Sequence, residues 1–335
     1  MNCKYTIKNK DIYEINKSNI ISKSNNSTIY FAINKTYDKI AIKKILTSKL
    51  CHNQLKLVSS ELEITNMMIN IKNDNILKYY DTVDNLDSIY IIMEYCDGGD
   101  LSQLLIKKSI KYDIVKYYFK QIISAFKFLN ENNIIHRDIK PKNILITNNR
   151  KILKLSDFGF AKYNYGLKKI NTMCGSPLYM APEIFEKTGY STSVDVWSLG
   201  LILFEMIYGF HPLENHKDIE TLSQSIIKEN INIPITNKIS DNCYILLKKL
   251  LDKDPLKRIT INELINDIWL IEEINMSYDE LYECLNNLQI YDNTLFINIS
   301  SDDSCDSCDS CDSCNSYDSK NSSEKTLGSN DLFIF

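Results

Sequence analysis

The sequence predicts an α+β fold of two lobes, a small strand-rich one followed by a larger helical one. Two observations carry this. From Ile12 to Glu94, short β-branched and aromatic stretches alternate with polar turns. After Gly98–Gly99 the apolar residues recur at helical spacing instead. The length of 335 residues adds a third, because it suffices for a substantial core.

Each element can be justified in order. Thr28–Ile33 and Lys39–Ile45 read as strands joined by the polar turn Asn34–Tyr37. Leu55, Val58, Leu62 and Met67 recur at helical spacing and predict a helix over residues 55–68. Asn75–Thr82 and Ser88–Met93 read as two further strands around Asp84–Asp87. In the second part, Val115, Tyr118, Ile122, Phe126 and Leu129 line one face of a long helix over Tyr112–Asn130. Asn132–Asn133 stops it. Ser193–Tyr208 is apolar almost throughout, which predicts a helix buried on most sides. Shorter helices are expected at Ile219–Lys228, Asp241–Leu251 and Ile261–Asp267. Residues 272–299 read as a short helical extension. Within it, Ser277–Ile299 carries Leu281, Leu285 and Leu288 on one face, fit either to pack on the large lobe or to meet a partner.

Composition narrows the class. Hydrophobic residues are 44% and charged residues 24%, ordinary for a soluble globular protein. No apolar run approaches the roughly 18 residues that span a bilayer, so no transmembrane segment is expected. Met1–Lys10 lacks the apolar core of a signal peptide, and a non-secreted, cytoplasmic location is expected. The net charge of −4 is concentrated after Ser300, where eight acidic residues face two lysines. The rest is near neutral and gives no reason to expect nucleic-acid binding. The 36 asparagines, with abundant Ile and Lys and only nine glycines, fit the codon bias of an AT-rich genome. A large DNA virus or a protist would have such a genome; for a virus the location becomes the host cytoplasm.

Cys3, Cys51, Cys96, Cys174, Cys243 and Cys284 are scattered and expected to be reduced thiols. Cys305, Cys308, Cys311 and Cys314 belong to an Asp-Ser-Cys repeat. Only Asp and Ser separate them, so repeat expansion explains the run better than a metal site. Residues 300–335 have little apolar content and are expected to be disordered.

Four stretches carry chemistry: AIKK (41–44), IIHRDIKPKNIL (134–145), SDFGFAK (156–162) and CGSPLYMAPEI (174–184). Each is weak alone. In this order, with these offsets, they make the chain resemble the eukaryotic-type Ser/Thr protein kinases over about residues 13–271. MEYCDGGDLS (93–102), DFGFAKY (157–163) and CGSPLYMAPE (174–183) most resemble the unc-51-like, autophagy-initiating kinases. The resemblance implies the bilobal protein-kinase fold, with N-lobe about 13–94 and C-lobe about 95–271.

It also implies a function: transfer of the ATP γ-phosphate to Ser or Thr hydroxyls of protein substrates, with ATP and magnesium in the interlobe cleft. Asp138 would be the catalytic base, Lys140 would lie near the transferred phosphate, and Asn143 and Asp157 would hold magnesium. Lys43 would hold the α- and β-phosphates. Glu63 is the chosen carboxylate partner of Lys43, with Glu61 the alternative. Met93, Glu94, Cys96 and Asp100 would border the adenine and ribose, and Ile21, Ile29, Ala41 and Leu145 would sandwich the ring. Plain core packing is the competing reading of these apolar positions. Asp195 would brace the catalytic loop, Arg258 would pair with Glu183, and Ser176 would help position Lys140. Thr172 matches an activation-loop phosphosite whose phosphate would pair with Arg137 and Lys162.

One departure stands out. The family covers the phosphates with a loop of pattern G-x-G-x-x-G. The matching stretch IISKSNNSTIYFA (20–32) has Ser22, Ser24 and Ser27 at the glycine positions. The favoured expectation is an active enzyme with a weaker grip on ATP, its serine hydroxyls compensating in part. The alternative is a pseudokinase that keeps the fold as a binding scaffold. A small-molecule kinase is disfavoured, because the peptide-positioning segment Gly175–Glu183 is present.

Overall fold

The computed structural model describes residues 4–8, 12–16, 18–106, 110–147, 150–164, 170, 172–216 and 218–288. The Asp-Ser-Cys repeat, the other residues after 288 and Cys3 lie outside them.

The small lobe contains β1 (Lys4–Lys8), β2 (Ile12–Asn16), β3 (Ile20–Lys23), β4 (Ser27–Asn34), β5 (Asp38–Leu46), α1 (His52–Met68), β6 (Tyr79–Asn85) and β7 (Ser88–Glu94). Five strands form an antiparallel sheet in the order β3-β4-β5-β7-β6. Side chains alternate across a strand, and both faces of this sheet are buried. On one face Ala41, Ile45, Ile91 and Met93 join a core that includes Ile64 and Met68 of α1. On the other, Ile40, Ile42, Tyr90 and Ile92 pack with Tyr13 and Ile15 of β2. The β1–β2 hairpin therefore caps the outer face of the lobe. The same alternation sends Lys43 to the face shared with Ala41 and Ile45.

One strand differs from expectation. Residues 75–77 do not continue β6, which begins at Tyr79. They pair with Leu155 instead: Leu155 N–H donates to Asn75 O at 2.8 Å and Leu77 N–H to Leu155 O at 2.9 Å. The Asn75 amide adds donations to Gln121 Oε1 and Leu153 O. These bonds tie the small lobe to the large one, and a backbone satisfied there is unavailable to the sheet.

The large lobe follows as α2 (Leu101–Leu105), α3 (Tyr112–Glu131), β8 (Ile134–Ile135), β9 (Ile144–Thr147), β10 (Ile152–Leu155), β11 (Lys162–Tyr163), α4 (Pro182–Phe185), α5 (Ser193–Tyr208), α6 (Ile219–Lys228), α7 (Asp241–Leu250), α8 (Ile261–Ile265), α9 (Ile268–Ile271) and α10 (Tyr278–Asn286). The fold is α+β, a sheet-built lobe joined to a helical one. The apolar stripe of α3 is buried along its length, and α5 is buried on nearly every side. Cys51, Cys96, Cys174, Cys243 and Cys284 are free thiols.

Two features hold the large lobe together. Arg258 meets Glu183 through two parallel bonds, Nη1 to Oε1 at 2.7 Å and Nη2 to Oε2 at 2.9 Å. Their side chains are 0% and 2% exposed. Removing one partner strands a buried charge, so Arg258→Met is expected to destabilise by about 3–5 kcal/mol, measured by urea denaturation. The second feature is α10. Ser277 and Glu280 close a capping box at its start. Leu285 is fully buried and Leu281 nearly so, against α3. Arg150 donates to Asn286 O at 2.8 Å, and the Lys151 ammonium lies 3.7 Å from the Tyr282 ring centroid. Of the two roles open for this leucine face, the described part packs on its own lobe. Leu285→Ala should cost about 2–5 kcal/mol in the same measurement.

Candidate active site

Residues 136–143 converge because a buried carboxylate organises their loop from below. Asp195, near the start of α5, accepts from His136 N–H at 2.7 Å and Arg137 N–H at 2.9 Å. Arg137 itself adopts positive φ (69°). Asp138 follows, 5% exposed, with both oxygens engaged. Its Oδ1 accepts from Ser176 N–H and from the Ser176 hydroxyl, each at 2.9 Å. Its Oδ2 lies 3.0 Å from Asn143 Nδ2 and 2.9 Å from Lys140 Nζ. Lys140 also donates to Ser176 Oγ at 2.6 Å. Gly175 makes this approach possible. Its φ is +103°, and a Cβ there would sit 2.3 Å from Arg137 O.

Across the cleft, Lys43 Nζ lies 2.7 Å from Glu61 Oε1 and 3.1 Å from Asp157 Oδ1. Burial pushes the Lys43 ammonium down, but the Asp157 and Glu61 carboxylates outweigh it and hold the group above its ordinary value. Lys43 in turn holds Asp157 down, to about 2. Phe158 is fully buried, edge-on to Tyr79 and near His136. Its burial fixes Asp157 facing Lys43. Ser60 donates to Ala161 O at 3.2 Å and ties α1 to the same segment.

The partner of Lys43 is therefore Glu61, not Glu63. Glu63 is exposed. Residues two apart on a helix point about 200° apart, so the two glutamates cannot exchange roles without rotating α1. The buried stripe of α1 is Glu61, Ile64, Thr65 and Met68. The stripe read from sequence was out of phase: Leu55 is exposed, and Val58, Leu62 and Met67 are only half-buried. A polar Glu and Thr on the inward face hide the true phase.

Among the residues expected to border adenine, Ala41 and Met93 face each other on β5 and β7 and are buried. Ile29 and Leu145 are half-buried beside them, while Ile21 is exposed. The interlobe segment is sewn to β9: Gly98 N–H donates to Ile146 O, and Ile146 N–H to Gly99 O, both at 2.9 Å. A Cβ at Gly98 would lie 2.8 Å from Ile146 O, so this contact needs glycine. The Glu94 side chain pairs with Lys154 at 2.9 Å. Burial, with Glu94 nearby, pushes the Cys96 thiol up to about 12, so it stays neutral. Asp100 caps α2, accepting from Gln103 N–H.

The serine loop folds without glycine. Ser24 N–H donates to Ser27 O at 2.9 Å, the two hydroxyls are 2.8 Å apart, and Ser27 N–H donates to Ser24 Oγ at 3.2 Å. Ser22 pairs with Ile29 across the hairpin. None of residues 20–27 has positive φ. The conformational freedom of glycine is thus not required here, and the hydroxyls close the turn that connects β3 to β4.

In the activation segment, Lys162 is exposed on β11, whose partner is β8. Thr172 is half-buried. Arg137 donates through Nε to Phe160 O at 2.6 Å and through Nη1 to the Tyr190 hydroxyl at 3.3 Å. Tyr190 had no signal in the sequence, because its partners lie 18 to 53 positions away.

The sequence profile of the protein kinase domain matches residues 15–270. The chain belongs to the protein kinase family. Among curated relatives, this kinase chain is 36% identical over 250 residues to serine/threonine-protein kinase atg1 of Dictyostelium discoideum, covering 73% of the chain and 37% of that protein. It is 35% identical over 263 residues to a putative serine/threonine-protein kinase of Acanthamoeba polyphaga mimivirus, covering 70% and 58%. It is 34% identical over 248 residues to serine/threonine-protein kinase ULK3 of Mus musculus, covering 73% and 52%. The match to these relatives spans from about a third to just over half of their lengths. The resemblance to unc-51-like kinases agrees with them. No helix of the described kinase residues is long and apolar enough to cross a membrane.

Proposed function

We propose that this chain is a serine/threonine protein kinase, moving the γ-phosphoryl group of ATP to Ser or Thr hydroxyls of proteins. The observation that carries the reading is the Asp138 carboxylate. It is held by Ser176, Asn143 and Lys140 in one cleft with the Lys43–Glu61–Asp157 set. Phosphoryl transfer asks a protein mainly for positioning and charge neutralisation, and both are available here.

The residues fit ATP and magnesium. Asp157 offers a carboxylate kept ionised by Lys43. Asn143 commits its amide nitrogen to Asp138, which leaves its carbonyl oxygen as a ligand. Hard oxygens of this kind suit magnesium, which otherwise relies on phosphate and water. Among the described residues no three His, Cys, Asp or Glu side chains form a metal cluster, and a phosphate-held ion needs none. When bound, magnesium supplies charge neutralisation at the phosphates. Lys43 would hold the α- and β-phosphates. Asp138 would orient the substrate hydroxyl and take its proton. Lys140, bonded to Ser176, would present its charge to the transferred group.

The test is phosphotransfer from γ-labelled ATP to a generic Ser/Thr protein by the full chain, with magnesium and with chelator. Label on Ser and Thr that disappears with chelator is expected. Tight nucleotide binding without any transfer, to itself or to a broad peptide library, would establish the scaffold reading instead.

A further inference from the structure

Tyr190 lies ahead of α5, 5% exposed, and its hydroxyl joins separate parts of the catalytic machinery. It donates to Thr172 O at 2.6 Å. It accepts from Arg137 Nη1 at 3.3 Å. The Tyr190 backbone pairs with Ile170 in both directions, at 3.0 and 3.2 Å. Arg137 passes the connection on, because its Nε donates to Phe160 O at 2.6 Å, three residues after Asp157. One phenol thus links the residue before Asp138, the segment after Asp157 and the stretch leading to Ser176.

A tyrosine hydroxyl has one proton to give and lone pairs to receive, and both capacities are used. Burial pushes this phenol above its ordinary range, although Arg137 pulls it down, so it stays a donor through neutral pH. The bonds use the Thr172 carbonyl, not its hydroxyl. The Arg137 guanidinium itself donates to two neutral groups, Phe160 O through Nε and the Tyr190 hydroxyl through Nη1. The buried Arg137 guanidinium is therefore held by these neutral groups, while the Asp195 carboxylate meets the residue's backbone N–H.

We propose that Tyr190 is a positioning residue that latches the activation segment to the catalytic loop through Arg137, in protein that carries no phosphate on Thr172. This rests on the kinase reading of the cleft.

The experiment uses the full chain, treated with phosphatase, with wild type beside Tyr190→Phe. Tyr190→Phe keeps the ring and removes only the hydroxyl. Its kcat for a protein substrate should fall about tenfold or more, since small misplacements at a reacting centre are costly. Its KM for ATP should stay within twofold, because Lys43 and Asp157 are untouched. Hydrogen exchange at Met173 and Cys174 should quicken in Tyr190→Phe, while β5 and α1 exchange as in wild type and so report an intact fold.

Unchanged kcat and exchange in Tyr190→Phe would overturn the proposal. So would activity confined to Thr172-phosphorylated protein. Should wild type transfer no phosphate in either state, the kinase reading fails, and exchange alone decides the latch. Faster exchange at Met173 and Cys174 then supports the latch, and unchanged exchange sinks it.

Discussion

Asp138→Asn is expected to lower phosphotransfer by about 10²- to 10⁴-fold, the usual worth of a positioned general base. Both oxygens of Asp138 accept hydrogen bonds from fixed donors: Ser176 on one side, Asn143 and Lys140 on the other. An amide must point its NH2 at one of these sets. The change therefore removes the base and also loosens Lys140 and Ser176. Nucleotide binding should survive, since Lys43 bonds to Glu61 and Asp157 and not to Asp138. Initial rates at saturating ATP, beside an ATP dissociation constant, check both halves. Retained turnover would remove Asp138 from the chemistry. Loss of binding equal to loss of rate would make it a structural residue.

The second large effect separates two glutamates. Lys43→Met should cost about 10²-fold or more in kcat/KM, because a preorganised charge at the phosphates is lost. Glu61→Gln should cost about tenfold or more, because Lys43 keeps an acceptor but loses its closest anion. Glu63→Gln should stay within twofold, as an exposed substitution. The reverse ranking would mean that α1 is rotated in the working enzyme. A pH profile adds a sign. Two carboxylates hold Lys43 above its ordinary value. Its charge is complete below that value and is lost only as pH rises past the raised one. Wild-type activity should show no Lys43 limb up to about pH 10. Asp157 is displaced downward, so its ionised form is complete above the ordinary carboxylate range and lost only as pH falls towards about 2.

How much was legible depends on distance along the chain. Asp138, Lys140 and Asn143 lie within six residues, and their mutual contacts are local. Their spacing sufficed to name them as candidates, and the structure brings them together. The helices over 193–208 and 219–228 were read with their observed ends, because periodicity and turn residues agree there. The sequence puts Glu61 only second to Glu63. The contact depends on how α1 is rotated against β6 and β11, which no spacing within the helix records.

By itself, then, the sequence determined the order of the elements, the two-lobe division and most of the side chains proposed for phosphoryl transfer. These follow from alternation, helical period and short motifs, all properties of neighbouring residues. Tertiary structure alone decided which glutamate reaches Lys43, how serines close a loop without glycine, and where α10 packs. It also decided that the Tyr190 hydroxyl lies between Arg137 and Thr172. Each of these joins surfaces whose relative placement is fixed by the packing of the whole core. The physical reason is that a side-chain hydrogen bond reaches about 3 Å, and only the folded chain brings residues 137, 172 and 190 within that reach.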